Sequence, residues 1–355
     1  MNLKTKTSQI DLTFERLTMT LRHPFGISYG TSATTDNVLV KLRYGDLIGL
    51  GEASPASYHS ESLETVNAVL SMIKANQSEI LGDDPFAVQM VTKRMDKLIA
   101  GNQSAKAAIE MAMHDLAGKV LGVPVYKMLG LSGHPQPMTD YTIGIDDLYM
   151  IERKTREAVG EGYKMLKVKL GTTYDEKIID KVRSNAGDLP IRVDANGGWN
   201  VKRACHMAGF LQDYKVELIE QPLPKNTSVS DFRFVKENSP IPIYADESIC
   251  VSSDVAKMAP GIDGVVVKLA KTGGILEAMR LIGVARAHGL GVMFGMMIES
   301  SIGVTASCQL QSLCDYLDLD GALLLKDDPY QGAQYKDGYL MLSDLPGLGV
   351  TLRSS

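Results

Sequence analysis

Two lysines alternate in the stretch "MLKVKLG", residues 165–171. On a β-strand successive side chains face opposite ways, so Lys167 and Lys169 share one face while Leu166, Val168 and Leu170 share the other. Lysine is among the residues least often fully buried, and adjacent ammonium groups repel, so a packing role would cost free energy. Compensating charges stand further along the chain. Asp194 lies in "IRVDAN", Glu220 in "ELIEQP", Asp246 in "IPIYADES", Lys268 in "GVVVKL", and Asp318 and Asp320 in "YLDLDG", while Glu299 follows "VMFGMM". Three carboxylates on neighbouring strands, Asp194, Glu220 and Asp246, form an all-oxygen set suited to a hard cation such as Mg2+ and poorly suited to zinc. Lys169 and Lys268 then flank that cation from opposite sides. A metal bound to a substrate carboxylate stabilises the enediolate left when the adjacent α-proton is removed. A base at Lys169 has to be an uncharged amine, a state that neighbouring Lys167 and the metal both favour. With one lysine taking the proton and the other returning it, the expected outcome is inversion of a stereocentre.

Each residue also has a plainer reading. A lone KxK can be an edge strand with both lysines in water. Asp in "DAN" or "DES" can be a turn or helix-cap residue, and Glu220 a strand end before proline. "KTGG" after Lys268 can be a helix entry, and Glu299, which otherwise orients Lys268 or contacts substrate, a helix-start carboxylate. The plain readings leave the common order and spacing unexplained. The marks recur every 20 to 30 residues or so, roughly the length of one βα unit.

For these groups to meet, their strands must share one end. Together with "YTIGI", the charged stretches make eight short apolar or β-branched runs separated by helix-length segments from residue 138 onward, the signature of a parallel sheet. Eight strands in about 180 residues fit a (β/α)8-like barrel, or a variant lacking its last helix, whose C-terminal face collects catalytic residues. The earlier chain differs. "IDLTFERLTMTL" and "NVLVKLRYGDLIGLGEAS" alternate like antiparallel strands, and "ESLETVNAVLSMIKANQSEIL", "PFAVQMVTKRMDKLIA" and "SAKAAIEMAMHDLAGKVLG" repeat at helical spacing. The expected division is an α+β capping domain at residues 1–128, the barrel at 129–325, and a Gly-, Tyr- and Asp-rich segment at 326–355 that packs back on the cap.

Composition agrees with an α/β enzyme of this size. The 355 residues are 45% hydrophobic, and the net charge of -5 gives no footprint for nucleic acid or an anionic membrane surface. The stretch "MNLKTKTSQIDLTFERL" has no apolar core for a signal peptide, and no run of about 18 apolar residues suggests a membrane span. Cys205, Cys250, Cys308 and Cys314 form no CxxC pair, so a reduced, cytoplasmic chain is expected, as a monomer or a homo-oligomer. A zinc hydrolase would want histidines at strand ends, but the six histidines form no HxH and sit away from them. A barrel that only binds a ligand has no use for two buried lysines on opposite faces.

Taken together, "KVKLG", "RVDANGGW", "ELIEQPLP", "YADES", "VVVKLAKTGG" and "GEASP" resemble the enolase superfamily, in its muconate lactonizing enzyme-like subgroup, over essentially the whole chain. The resemblance implies a modified (β/α)7β barrel with an α+β cap, one Mg2+ on Asp194, Glu220 and Asp246, acid/base roles for Lys169 and Lys268, and a supporting cation at Lys167. The pair in "DYLDLDG", Asp318 and Asp320, is similar to the DxD pattern by which dipeptide epimerases hold a free α-ammonium. Two carboxylates two residues apart on one strand face make such a site in any family. Muconate cycloisomerases and o-succinylbenzoate synthases, the alternatives within the subgroup, have no ammonium to hold. Cap loops near "HPFGISYGT" and "GEASPASYHS" would close over the substrate. Where epimerases of Ala-Glu carry an arginine, this chain has Gly30, flanked by Phe25, Ile27 and Tyr29, with Arg22 nearby. The implied substrate is a dipeptide with a small or apolar second side chain, such as Ala-Ala, with Ile298 of "GMMIES" on its other flank and L-Ala-D/L-Glu as the alternative.

Overall fold

The computed structural model describes residues 9–353; residues 1–8, which open the stretch read above for a signal peptide, and 354–355 lie outside the described residues. Three antiparallel strands come first, β1 (Asp11–Ile27), β2 (Gly30–Tyr44) and β3 (Leu47–Ala53). Leu12 on β1 and Val38, Val40 and Leu42 on β2 are buried beneath the helices Leu63–Ala75, Val88–Leu98 and Gln103–Leu121. The stretch "HPFGISYGT", expected as a loop, is the far end of a long hairpin. Its pairing jumps from Thr20↔Thr34 to Phe25↔Ser32. The extra β1 residues bulge out there, which places Pro24, with no N–H to give, outside the ladder.

The helix Gln103–Leu121 is buried on nearly every side because it serves two cores. Ala107 and Met111 pack into the barrel's apolar shell, while Ala108, Ile109, Ala112 and Leu116 pack under the cap. Gly49 and Gly51 of β3 let the sheet lie directly on this helix, since a Cβ at either would run into the backbone carbonyls of Ala112 and Ala108.

The eight expected barrel strands are all present, in chain order and parallel: β4 (Tyr141–Ile143), β5 (Leu166–Lys169), β6 (Ile191–Asp194), β7 (Val216–Glu220), β8 (Ile243–Ala245), β9 (Gly264–Val267), β10 (Gly291–Phe294) and β11 (Tyr316–Leu317). A parallel bridge between Thr139 and Leu317 joins the last strand to the first. A helix follows each of β4 to β10, but β11 leads into a 3-10 turn, Gly321–Leu324. This is a (β/α)7β barrel. The chain then runs back along the cap: Lys326 N donates to Thr20 O at 2.9 Å, and Leu348 N donates to Asp115 Oδ1 at 2.7 Å.

Candidate active site

Parallel register brings the charged strand ends together. Lys169 on β5 lies opposite Asp194 on β6, and Asp194 lies opposite Glu220 on β7. Asp246 directly follows β8, and Lys268 directly follows β9. Asp194, Glu220 and Asp246 are buried, each offering a carboxylate oxygen within 4.8 Å of the others. Lys169 Nζ donates to Asp194 Oδ2 at 2.6 Å, and Lys268 Nζ to Asp246 Oδ2 at 2.6 Å. The two lysines therefore reach the cluster from different strands on either side of it. Lys167 Nζ lies 2.6 Å from Glu220 Oε2, 2.6 Å from Asp318 Oδ2 and 3.2 Å from Asp194 Oδ2.

A fourth lysine was not foreseen. The short helix Leu269–Thr272 turns Lys271 back onto Asp246 Oδ1, and its Nζ also donates to Asp246 O at 2.7 Å and Val266 O at 2.9 Å. The "KTGG" stretch, open to reading as a helix entry, is therefore also a brace. Burial alone would raise the Asp246 carboxyl, but Lys268 and Lys271 outweigh it and hold that carboxyl well below the usual range. Glu220 shows the opposite balance: burial, then the charge of Asp194, push it well above the usual range.

The donor set fits a hard divalent cation. Lys167 approaches Glu220, yet neither Glu220 oxygen has an aligned hydrogen-bond donor. Buried polar atoms are rarely left without a partner, and a carboxylate with two unmet oxygens beside two further carboxylates is what such an ion coordinates. Neighbouring groups hold the cluster in place. Asn196 N donates to Asp194 Oδ1 at 2.8 Å, while Asn196 Nδ2 reaches Glu247 Oε1 at 3.0 Å. Asp175 accepts from Gly171 N at 3.1 Å, Thr172 N at 2.8 Å and Trp199 Nε1 at 2.7 Å, which pins the loops after β5 and β6 to each other.

Through Lys169, Lys268 and Asn196 this cluster meets a cavity of about 410 Å3 between barrel and cap. Lys169, Lys268, Asp318 and Asp320 line it, together with Phe25, Ile27 and Tyr29 from the hairpin tip and Ile298 from the segment after β10. Thr142 N donates to Asp320 Oδ2 at 2.6 Å. Burial, then the charge of Asp318, push the Asp320 carboxyl up to about 7. Burial opposes ionisation of Asp318 as well, but Lys167 and Lys169 prevail and hold it low. Glu299 is placed differently. It does not line the cavity; its Oε1 accepts from Met297 N at 3.3 Å behind the wall. Arg22 is committed elsewhere, in a two-pronged pair with Glu161 at 3.0 and 3.1 Å.

Sequence reasoning also passed over Asn196, Tyr58 and Thr142. Asn196 was within view in "DAN", two residues from a carboxylate ligand. Tyr58 lies in the "GEASPASYHS" stretch expected to close over the substrate, though it was not singled out, whereas Thr142 carries no local signal, since only the fold brings it to the cavity.

Known proteins share this architecture. Residues 9–130 match the family described as mandelate racemase / muconate lactonizing enzyme, N-terminal domain, and residues 150–355 match the enolase C-terminal domain-like family. An L-Ala-D/L-Glu epimerase from Bacteroides thetaiotaomicron is 38% identical over 96% of this chain and 88% of its own length. A hydrophobic dipeptide epimerase from Flavobacteria bacterium (strain MS024-2A) is 36% identical over 96% of this chain and 98% of its own. The crystal structure of a dipeptide epimerase from Cytophaga hutchinsonii complexed with Mg and D-Ala-L-Val superposes with a TM-score of 0.92 at 30% identity, covering 97% of this chain and 96% of that one. The fold, the convergent strand ends and these matches agree: the chain belongs to the mandelate racemase / muconate lactonizing enzyme group of the enolase superfamily.

Proposed function

We propose that this protein is a Mg2+-dependent dipeptide epimerase that inverts the α-carbon of the C-terminal residue, and that the second side chain it prefers is small or apolar. One observation carries the reading: the two buried lysines that flank the carboxylate triad line the same cavity as the Asp318–Asp320 pair. Asp194, Glu220 and Asp246 would hold the cation, which supplies positive charge to the substrate carboxylate as the α-carbon loses its proton. Lys169 Nζ and Lys268 Nζ stand on opposite faces of that carbon, one removing the proton and the other delivering one. Lys167 balances the negative charge of Glu220, Asp194 and Asp318 beneath them. Asp318 and Asp320 take the substrate's α-ammonium, and the cap shields the site from water.

The side-chain preference rests on charge. Among the described residues, Lys169 and Lys268 are the only cationic ones lining the cavity, and both are engaged with the triad. Phe25, Ile27, Tyr29 and Ile298 offer apolar surface, and Gly30 offers no side chain. A glutamate side chain would find hydroxyl groups there but no free cation to pair with, which is unfavourable for a buried charge. The alternative, an L-Ala-D/L-Glu epimerase, draws support from the name of the Bacteroides relative. Proton NMR in D2O, with Mg2+ and a panel of Ala-Ala, Ala-Leu, Ala-Glu and their diastereomers, tests both. Loss of the C-terminal α-proton signal with growth of the opposite epimer on Ala-Ala or Ala-Leu is expected. Comparable turnover of Ala-Glu overturns the preference, and no exchange on any dipeptide overturns the function.

A further inference from the structure

The cavity wall after β10 is held by the capping sheet. Asn37 on β2 donates through Nδ2 to Ile298 O at 3.0 Å and to Glu52 Oε1 at 2.6 Å. Glu52 on β3, 1% exposed, accepts from Ser300 N at 3.0 and 3.1 Å, from Ser300 Oγ at 2.5 Å and from Gly303 N at 3.2 Å. Residues 295–300 have no regular secondary structure, so these bonds replace the ladder or helix that would otherwise fix their shape. Tyr58, from the cap's second loop, adds a contact from its hydroxyl to Met297 Sδ at 2.9 Å.

The charge arrangement fits a fixed clamp. Burial pushes the Glu52 carboxyl up and the hydrogen bonds from Ser300, Asn37 and Gly303 oppose that shift; every one of these partners is a donor, so the ionised carboxylate is the form that satisfies them all. Glu299 lies beside it, and burial, then the Glu52 charge, push the Glu299 carboxyl up to about 8. One protonated and one ionised glutamate can share a buried interface without repulsion.

We propose that Asn37 and Glu52 are positioning residues that set the shape of the Met296–Ile298 wall, so that discrimination among second side chains depends on this buried cap–barrel clamp as well as on the residues touching substrate. The proposal rests on the dipeptide reading above for its substrate consequence, but the clamp itself does not. In Glu52→Gln one carboxylate oxygen becomes an NH2 that faces other donors, and the remaining neutral oxygen is a weaker acceptor for Ser300 and Gly303 in a dry interface, a penalty the segment relieves by moving.

The test uses full-length Asn37→Ala and Glu52→Gln proteins with Mg2+. Hydrogen exchange at the Ser300 and Gly303 amides is expected to quicken by about tenfold or more in Glu52→Gln, while amides in β2 and β3 keep their protection. The ratio of kcat/KM for Ala-Leu over Ala-Ala is expected to change by about fivefold or more in both variants. A merely structural loss lowers the folded fraction and scales kcat equally for every substrate, leaving that ratio fixed. An unchanged ratio therefore overturns the role in discrimination, and unchanged exchange at Ser300 and Gly303 overturns the clamp. Should Glu52→Gln fail to fold, Asn37→Ala decides through the ratio and through exchange at Ser300. Should the parent protein turn over no dipeptide, the functional reading fails by that result, and the exchange measurement still decides the clamp.

Discussion

In the proposed mechanism Lys169 and Lys268 divide one reaction between two faces of a carbon, so they should fail in different ways. Replacing Lys268 by Ala leaves Lys169 able to remove a proton from one epimer and return a solvent deuteron to the same face. That variant should lose epimerisation by a factor on the order of 10^2 to 10^4 while still exchanging the α-proton of one epimer. Lys169→Ala should exchange only the other epimer, as NMR in D2O would reveal; exchange of both epimers by either variant would contradict the two-face arrangement. Asp320 gives a pH dependence. With its carboxyl pushed up to about 7, it is ionised above that pH and neutral below, so the proposed ammonium site loses one negative charge as pH falls. KM for a dipeptide should rise as pH drops through 7, with a smaller effect on kcat. In Asp320→Asn, KM should be high and nearly flat over that range, and a slope equal to the parent's would exclude Asp320 as the titrating group.

Elements carry these residues, and their legibility varied with how local the cause was. The barrel strands could be read because each packs an apolar run against helices and most end in, or run straight into, a charged residue, β4 and β10 being the exceptions; Asp194 and Glu220 show both signals within a few positions. The hairpin tip was obscure because Pro24 and Gly26 argue for a loop, whereas the bulge between Thr20 and Phe25 lets pairing resume beyond them. Lys271 was obscure for another reason: its role depends on a turn of helix bringing it back to Asp246, which no strand pattern encodes. Glu52 stood in the "GEASP" stretch, but neither it nor Asn37 signalled a role at the wall, since their barrel partners Ser300 and Ile298 lie some 250 residues away, a separation on the order that only long-range folding closes. A test at this scale concerns β3 and the long cap helix. Gly51→Ala would drive a methyl group into the Ala108 carbonyl and should cost about 1–3 kcal/mol in urea unfolding, with the mutated sheet lifting from the helix.

For the whole molecule, the triad is both a chemical site and a stability term. Three buried carboxylates within 4.8 Å of one another are a repulsive group that a bound cation relieves. Mg2+ at about 100 times its Kd should stabilise the folded protein by about 2.7 kcal/mol, so EDTA should lower the melting temperature. In Asp246→Asn the melting temperature should respond little to Mg2+, and a full parental response would place the ion elsewhere. The sole tryptophan of the sequence sits where it can report this event. Trp199, 2% exposed, shares Asp175 with Gly171 and Thr172, in the loop that also carries Asn196 against Asp194. Its emission is therefore a built-in optical gauge: one wavelength, with no label attached, should follow the filling of the site in real time.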